Sequence, residues 1–447
     1  MHGPPGKPIV GSAFDFRNDT VGTLIAGWRK YGDAVLFRGP GSFFPVHFFA
    51  HPEHVKYVLQ DNYANYPARS ETVVRKFREV VGSGLVTTQG EVWASQRRLA
   101  QQAFQRDRLN ALAGLMVAAT DQMLDEWDGH AKRGQPVDVQ SEMMHLILNI
   151  LASALFSADM RRDAAKIEHA VATQAKWLND EVVGGISVPL SVPIPRHRRF
   201  LEQRKALDEV VDPLIAERRR SGEDRGDFLS MLLDAEDPET GEKLTDQAVK
   251  DEVKTFLIAG HETTATTLAW TFYLMSKYPE VARRVHDEVE QVLGGREPTP
   301  DDGKNLGYMA TVLHESLRLY PPLWTVARAP IQDDEIGAYR VPAGGTIILS
   351  PYITHRHPDF WENPEGFDPD RFTPERSEGR HRYSYFPFSG GPRGCIGFPF
   401  AMLELHLVLP RILQRFQLDL VPGYPVEAEA AISLRQKHGA LMTLKPV

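Results

Sequence analysis

The stretch FSGGPRGCIG, Phe388–Gly397, contains Cys395, the only cysteine among the 447 residues. Gly390, Gly391, Gly394 and Gly397 surround that thiol, with Pro392 and Arg393 between them. Glycine costs backbone entropy, and it is favoured where φ is positive or where the chain must approach another group closely. So many glycines around one thiol therefore describe a cramped turn pressed against something flat or large. Three roles compete for the thiol. A buried structural cysteine needs no glycines. A nucleophile needs a histidine base, which no local pattern supplies. A metal ligand is the third, although a structural thiol is the usual role of a lone intracellular cysteine.

A thiolate on a haem iron suits this turn, because glycine amides can point at the sulfur and the turn can lie against a porphyrin face. Arg393, two residues before the thiol, could pair with a haem propionate in a charge-assisted bond. The following segment FPFAMLELHLVLPRIL, Phe398–Leu413, has a helical pattern, and a thiolate near its N-terminus gains from the helix dipole.

Outward from the loop, the chain predicts a fold that is mainly α with a small β region (α+β), built as one large domain over residues 1–447. The β-rich parts lie near residues 34–50 and 325–352, after a proline-rich lead-in over residues 1–12. The first is an aromatic hairpin with a Gly-Pro-Gly turn at Gly39–Gly41. Amphipathic segments over Arg108–Ala131, Glu142–Leu155, Arg204–Arg219 and Asp246–Tyr278 read as helices. Gly185–Phe200 is the most loop-like long connection, and its aliphatics suggest a packed, mobile cover.

The formal charge of −8 argues against nucleic acid as a partner. The basic runs Arg196–Arg199 and Glu217–Arg220 lack interleaved aromatics and read as solvated surface. A lone cysteine excludes an internal disulfide and is compatible with a reducing compartment. The start, MHGPPGKPIVGSAFDF, has no apolar run of signal-peptide or spanning length, and His261 and Glu262 interrupt the run Phe256–Ala259. The expectation is a soluble, cytoplasmic protein with no membrane anchor in this chain.

FSGGPRGCIG resembles the cysteine-ligand loop of the cytochrome P-450 superfamily, the haem-thiolate monooxygenases. Phe388, Gly391, Arg393, Cys395 and Gly397 stand at that loop's required positions. Four further motifs follow the family's order and spacing, from about Gly90 onward. AGHETTATT, Ala259–Thr267, sets Glu262 and Thr263 side by side. By themselves they read as a core pair, the threonines bonding back to the preceding turn. The resemblance makes them the acid–alcohol couple that delivers protons during oxygen activation, with Gly260 making room for O2 and water. His261 is assigned no chemistry. HESLRLYPP, His314–Pro322, places Glu315 and Arg318 on one helix face. With Arg371 of FDPDRF they match the family's structural triad. GEVWASQRR, Gly90–Arg98, sets Trp93 and Arg97 one turn apart. Together with Arg328 and Arg393, these match the propionate contacts.

The resemblance implies one domain enclosing haem b, with Cys395 as axial ligand to the iron and Phe388 and Gly397 in the cofactor-binding loop. It implies insertion of one oxygen atom from O2, as hydroxylation or epoxidation, into a lipophilic substrate such as a terpenoid, fatty acid or steroid. The pocket is expected between Ile258, Ala259, Leu323, Trp324 and Val326, beneath the loop Pro67–Leu85 and the cover Lys176–Pro195. HGPPGKPIVG is similar to the hinge that follows the anchor of microsomal members. Opening the chain, it suggests a soluble bacterial-type representative. Electrons are expected from a ferredoxin or flavodoxin with an NAD(P)H reductase. A peroxide-driven peroxygenase or an isomerase of the same fold remains as an alternative, disfavoured by the acid–alcohol couple. A helical binding protein with a buried thiol is the other.

Overall fold

The longest helix, Asp246–Lys277, runs for 32 residues through the middle of the protein. Thr245 caps its start, the hydroxyl accepting the Ala248 N–H at 3.2 Å. From Thr264 to Phe272 nearly every side chain is buried, which is the pattern of a helix enclosed on all sides. It packs along the helix Val139–Phe156. That partner is long and apolar enough to cross a membrane by length and composition alone, yet 67% of it is buried inside the protein. Its apolar surface is core surface. The helix Phe398–Leu413 packs on Ala113–Lys132 and on the central helix, so the cysteine loop is delivered to one side of that central element.

The structure, a computed structural model, describes residues 1–7, 11–39, 45–67, 71–157, 164–182 and 188–447. Ala34–Phe37 and Val46–Phe49 form the expected antiparallel hairpin. Only Gly39 of its Gly-Pro-Gly turn falls within the described residues. The second strand pairs in parallel with Thr346–Leu349, which pairs in turn with Val326–Arg328. Strands from opposite ends of the chain thus share one four-stranded sheet, with Phe48, Phe49, Ile347 and Leu349 fully buried.

The segments expected as helices occur as Arg106–Ala111 with Ala113–Lys132, Val139–Phe156, Pro195–Ser221 and Asp246–Lys277. Two expectations need correction. The cover Gly185–Phe200 is not loop to its end, because Pro195 starts a helix and Phe200 stacks on Trp177 at 4.1 Å. Burial of that aromatic pair holds the segment down. Residues 183–187 of the cover Lys176–Pro195, 68–70 of the loop Pro67–Leu85 and 8–10 of the lead-in lie outside the described residues. Further strands also lie beyond the two β regions. Val137–Asp138, Leu441–Pro446 and Phe416–Leu420 form a sheet, and Ala428–Ala430 pairs with Leu434–Gln436.

Candidate functional site

Between the central helix and the cysteine loop lies a cavity of about 2200 Å³, its mouth included. The loop's backbone explains two of its glycines. Gly391 has φ +65, and a Cβ there would lie 1.8 Å from the Leu59 carbonyl oxygen. A Cβ on Gly390 would stand 2.5 Å from the Tyr383 ring. These two glycines press against the protein itself. Gly397 differs: its φ is −78, and the atom nearest to an added Cβ is Cys395 Sγ at 3.9 Å. Nothing in the protein demands glycine there, and the residue faces the cavity.

Cys395 is held by its own N–H, which donates to the Phe388 carbonyl at 3.0 Å. Its side chain is open to the cavity although the site lies deep in the protein. Burial pushes the thiol up, while the Gly397 and Phe398 amides and the Arg97 charge pull the other way. Arg97 lines the same cavity and donates to the Gly394 carbonyl at 3.0 Å. Among the described residues it has no carboxylate partner, and burial holds it below the usual arginine range. Arg393 lies over the Trp93 ring at 4.1 Å and donates twice to the Thr88 carbonyl at 3.1 Å. Arg328, also buried, donates to the Ala327 carbonyl at 2.9 Å. One thiol and three guanidinium groups thus converge on one cavity, with Trp93 and Phe388 on its lining.

The opposite wall is the central helix. Ile258, Ala259, Glu262 and Thr263 line it, and the last two are half-buried side chains facing the cavity rather than embedded in the core. The Thr263 hydroxyl donates back to the Ala259 carbonyl at 2.9 Å, so its proton is engaged and its lone pairs are what it can offer. Glu262 Oε1 accepts the Ser433 hydroxyl at 2.6 Å. A Cβ on Gly260 would lie 3.0 Å from a Leu151 methyl, so helix packing asks for glycine there, a reason apart from the expected room for O2. His261 is buried, pushed down to about 4 by that burial, and is not part of the cavity wall.

The sequence profile of the cytochrome P450 family matches residues 1–442. The chain belongs to the cytochrome P450 family. It is 35% identical over 434 residues to cyclooctatin synthase of Streptomyces melanosporofaciens, covering 96% of this chain and 92% of that protein. It is 35% identical over 436 residues to cyclooctat-9-en-7-ol 5-monooxygenase of the same organism, covering 94% and 92%. The cytochrome P450DA heme domain superposes with a TM-score of 0.90 at 27% identity, over 100% of this chain and 98% of that one. The protein is thus an oxidoreductase, a P450 monooxygenase, and its cofactor is haem.

The residues of this P450 fit that cofactor. Cys395 would offer the haem metal a soft sulfur donor, and Arg97, Arg328 and Arg393 would offer its carboxylates guanidinium groups. Arg97, lacking a protein carboxylate, and Gly397, lacking a protein reason to be glycine, both gain a purpose. The triad is also assembled. Arg318 makes a two-pronged bond to Glu315, at 2.6 and 2.8 Å, and both side chains are fully buried. Arg371 Nε lies 3.4 Å from Glu315, and the Asp368 N–H donates to the same carboxylate at 2.9 Å. Arg318 spends its other donors on the carbonyls of His355, Pro364 and Gly366. These bonds fix the meander that leads into the cysteine loop.

Of the expected pocket residues, Ile258, Ala259, Leu323 and Val326 line the cavity. Trp324 does not. A buried indole N–H needs an acceptor, and that of Trp324 finds the Ala431 carbonyl at 2.8 Å. Its ring therefore joins the core cluster with Leu24, Phe48 and Ile353. Sequence reasoning missed Ile432 and Ser433, which reach the cavity from the turn between Ala428–Ala430 and Leu434–Gln436. Their short flanking strands carry no motif that would single them out.

Proposed function

We propose that this P450 hydroxylates or epoxidises a lipophilic, terpenoid-like substrate, using haem b with Cys395 as its axial ligand. The arrangement that carries the reading is the lone thiol, with Thr263 and Glu262, on a cavity lined largely by apolar side chains. Phe77, Val81, Leu85, Leu178, Ile258 and Leu323 supply that lining. They can hold and desolvate a hydrocarbon skeleton but offer no fixed charge for an anionic or cationic substrate. The terpenoid-oxidising relatives support the same substrate class.

Haem, when bound, supplies the activation of O2 and the transfer of one oxygen atom, with the thiolate donating electron density to the metal. The protein's part is positioning and proton supply. Arg97, Arg328 and Arg393 would neutralise the propionates, and the Trp93 indole N–H would add a donor to them. Thr263, whose own proton is turned to Ala259, accepts from a water in the cavity and fixes it there. Glu262 passes protons from solvent to that water. Two protons and two electrons are consumed for each oxygen atom inserted and each water released. The electrons come from a ferredoxin or flavodoxin and its NAD(P)H reductase, in a soluble, cytoplasmic, bacterial setting. A panel of terpenes, fatty acids and steroids titrated into the ferric protein tests the class. Terpenoid skeletons should give the strongest low-to-high-spin shift, and a response confined to charged compounds would overturn the reading.

A further inference from the structure

The carboxylate of Glu262 is not left to swing. Its Oε1 accepts the Ser433 hydroxyl at 2.6 Å, and Ser433 is only 2% exposed. Among the described residues Oε2 accepts no hydrogen bond, and Glu262 lines the cavity. Ser433 sits in a turn that is itself held from several directions. The Leu434 N–H donates to the Pro322 carbonyl at 2.9 Å, and the Trp270 indole donates to the Leu434 carbonyl at 2.8 Å. Gln436 donates to the Ala269 carbonyl at 3.2 Å, and the Trp324 indole reaches Ala431 at 2.8 Å. The turn is thereby bonded to the central helix about two turns beyond Glu262 and to the segment that opens the expected substrate pocket.

A hydroxyl on so constrained a turn serves as a fixed anchor. It engages one carboxylate oxygen and leaves the other for proton exchange. A free glutamate could reach several rotamers, and only some of them would present an oxygen toward Thr263. We infer that Ser433 is a positioning residue for proton delivery, selecting the Glu262 rotamer from which Oε2 serves the water held at Thr263. This rests on the proton-relay reading of Glu262. The anchor differs from that relay in needing no ionisation of its own.

The test compares Ser433→Ala and Ser433→Thr in the haem-loaded protein, with haem content verifying that each variant folds. The Glu262 carboxylate stretch is the infrared band lost in Glu262→Gln. In the resting protein without substrate it should shift in Ser433→Ala, where a short charge-assisted bond is removed, and return toward the parent position in Ser433→Thr. With substrate and reductase, turnover in Ser433→Ala should fall on the order of tenfold, the scale of one hydrogen bond to a charged group. The solvent deuterium isotope effect should rise, and Ser433→Thr should recover both. The infrared measurement needs no turnover, so it judges the anchor even if the monooxygenase reading fails. An unmoved band in Ser433→Ala overturns the anchor. A moved band with unchanged turnover and isotope effect overturns its role in proton delivery.

Discussion

At Thr263 the hydroxyl proton is committed to the Ala259 carbonyl, so the residue acts through what its oxygen can accept. Removing that oxygen leaves the apolar contacts of the cavity intact. Thr263→Ala should therefore bind substrate nearly as the parent does and consume NAD(P)H at a similar rate. Its product per NAD(P)H should fall by about tenfold, with hydrogen peroxide rising to match, because a misplaced water no longer delivers protons to the productive position. Measuring product, peroxide and NAD(P)H together checks this, and unchanged coupling would remove Thr263 from the role. Much at this scale is legible in the sequence. A lone cysteine among glycines, an acid next to a hydroxyl and arginines at set spacings announce their chemistry by residue type. The rest is not. Ser433 lies 171 positions from Glu262, and no local pattern marks a serine that bonds across such a distance. The family resemblance assigns Trp324 to the pocket, but its indole N–H is satisfied at Ala431, in a turn between short strands that the sequence pattern does not show.

At the scale of elements, buried charge ties loops to helices. Arg318 joins Glu315 and three backbone carbonyls with no exposed surface on either side chain. Arg318→Leu would leave a buried carboxylate short of a partner and several carbonyls unmet, costing about 3–5 kcal/mol. The expected result is a denaturation midpoint far below the parent's and poor haem retention. A near-parental midpoint would show that Arg371 alone suffices for Glu315.

Near the start of the central helix, Glu252 accepts the Leu85 N–H at 3.0 Å and so holds the loop that contributes Leu85 to the cavity. Burial pushes Glu252 up to about 8, the Asp251 charge adds to the rise, and the Leu85 bond opposes it. With the folded value above the unfolded one, the folded protein keeps a proton that the unfolded chain has lost. The contribution to stability is present at low pH and is lost as pH rises from about 4.5 through about 8. The stability of Glu252→Gln relative to the parent should thus improve across that window, by up to a few kcal/mol. Denaturation midpoints of both proteins at pH 5 and pH 8.5 give the answer, and a pH-independent difference would contradict it.

Across the whole molecule, long amphipathic periodicities make the helical core readable from residue order alone. The four-stranded sheet is readable only in pieces, since Val46–Phe49 finds its parallel partner at Thr346–Leu349 and periodicity carries no record of such distant pairing. The C-terminal strands are hidden for a related reason. Ala428–Ala430 and Leu434–Gln436 are three residues each; their mutual pairing and the contacts of Leu434–Gln436 with the central helix define them more than propensity does. What unites the molecule is that core helices, sheet and meander together hold Cys395 open to an internal cavity.

The most direct test of that claim is the absorption spectrum of the reduced, CO-bound protein beside that of Cys395→His. The parent should show the strongly red-shifted Soret band of a thiolate-ligated haem, and Cys395→His should lose that band while retaining haem held by the arginines. A parent without the band, or a Cys395→His protein that keeps it, would contradict the assignment of Cys395 as the ligand.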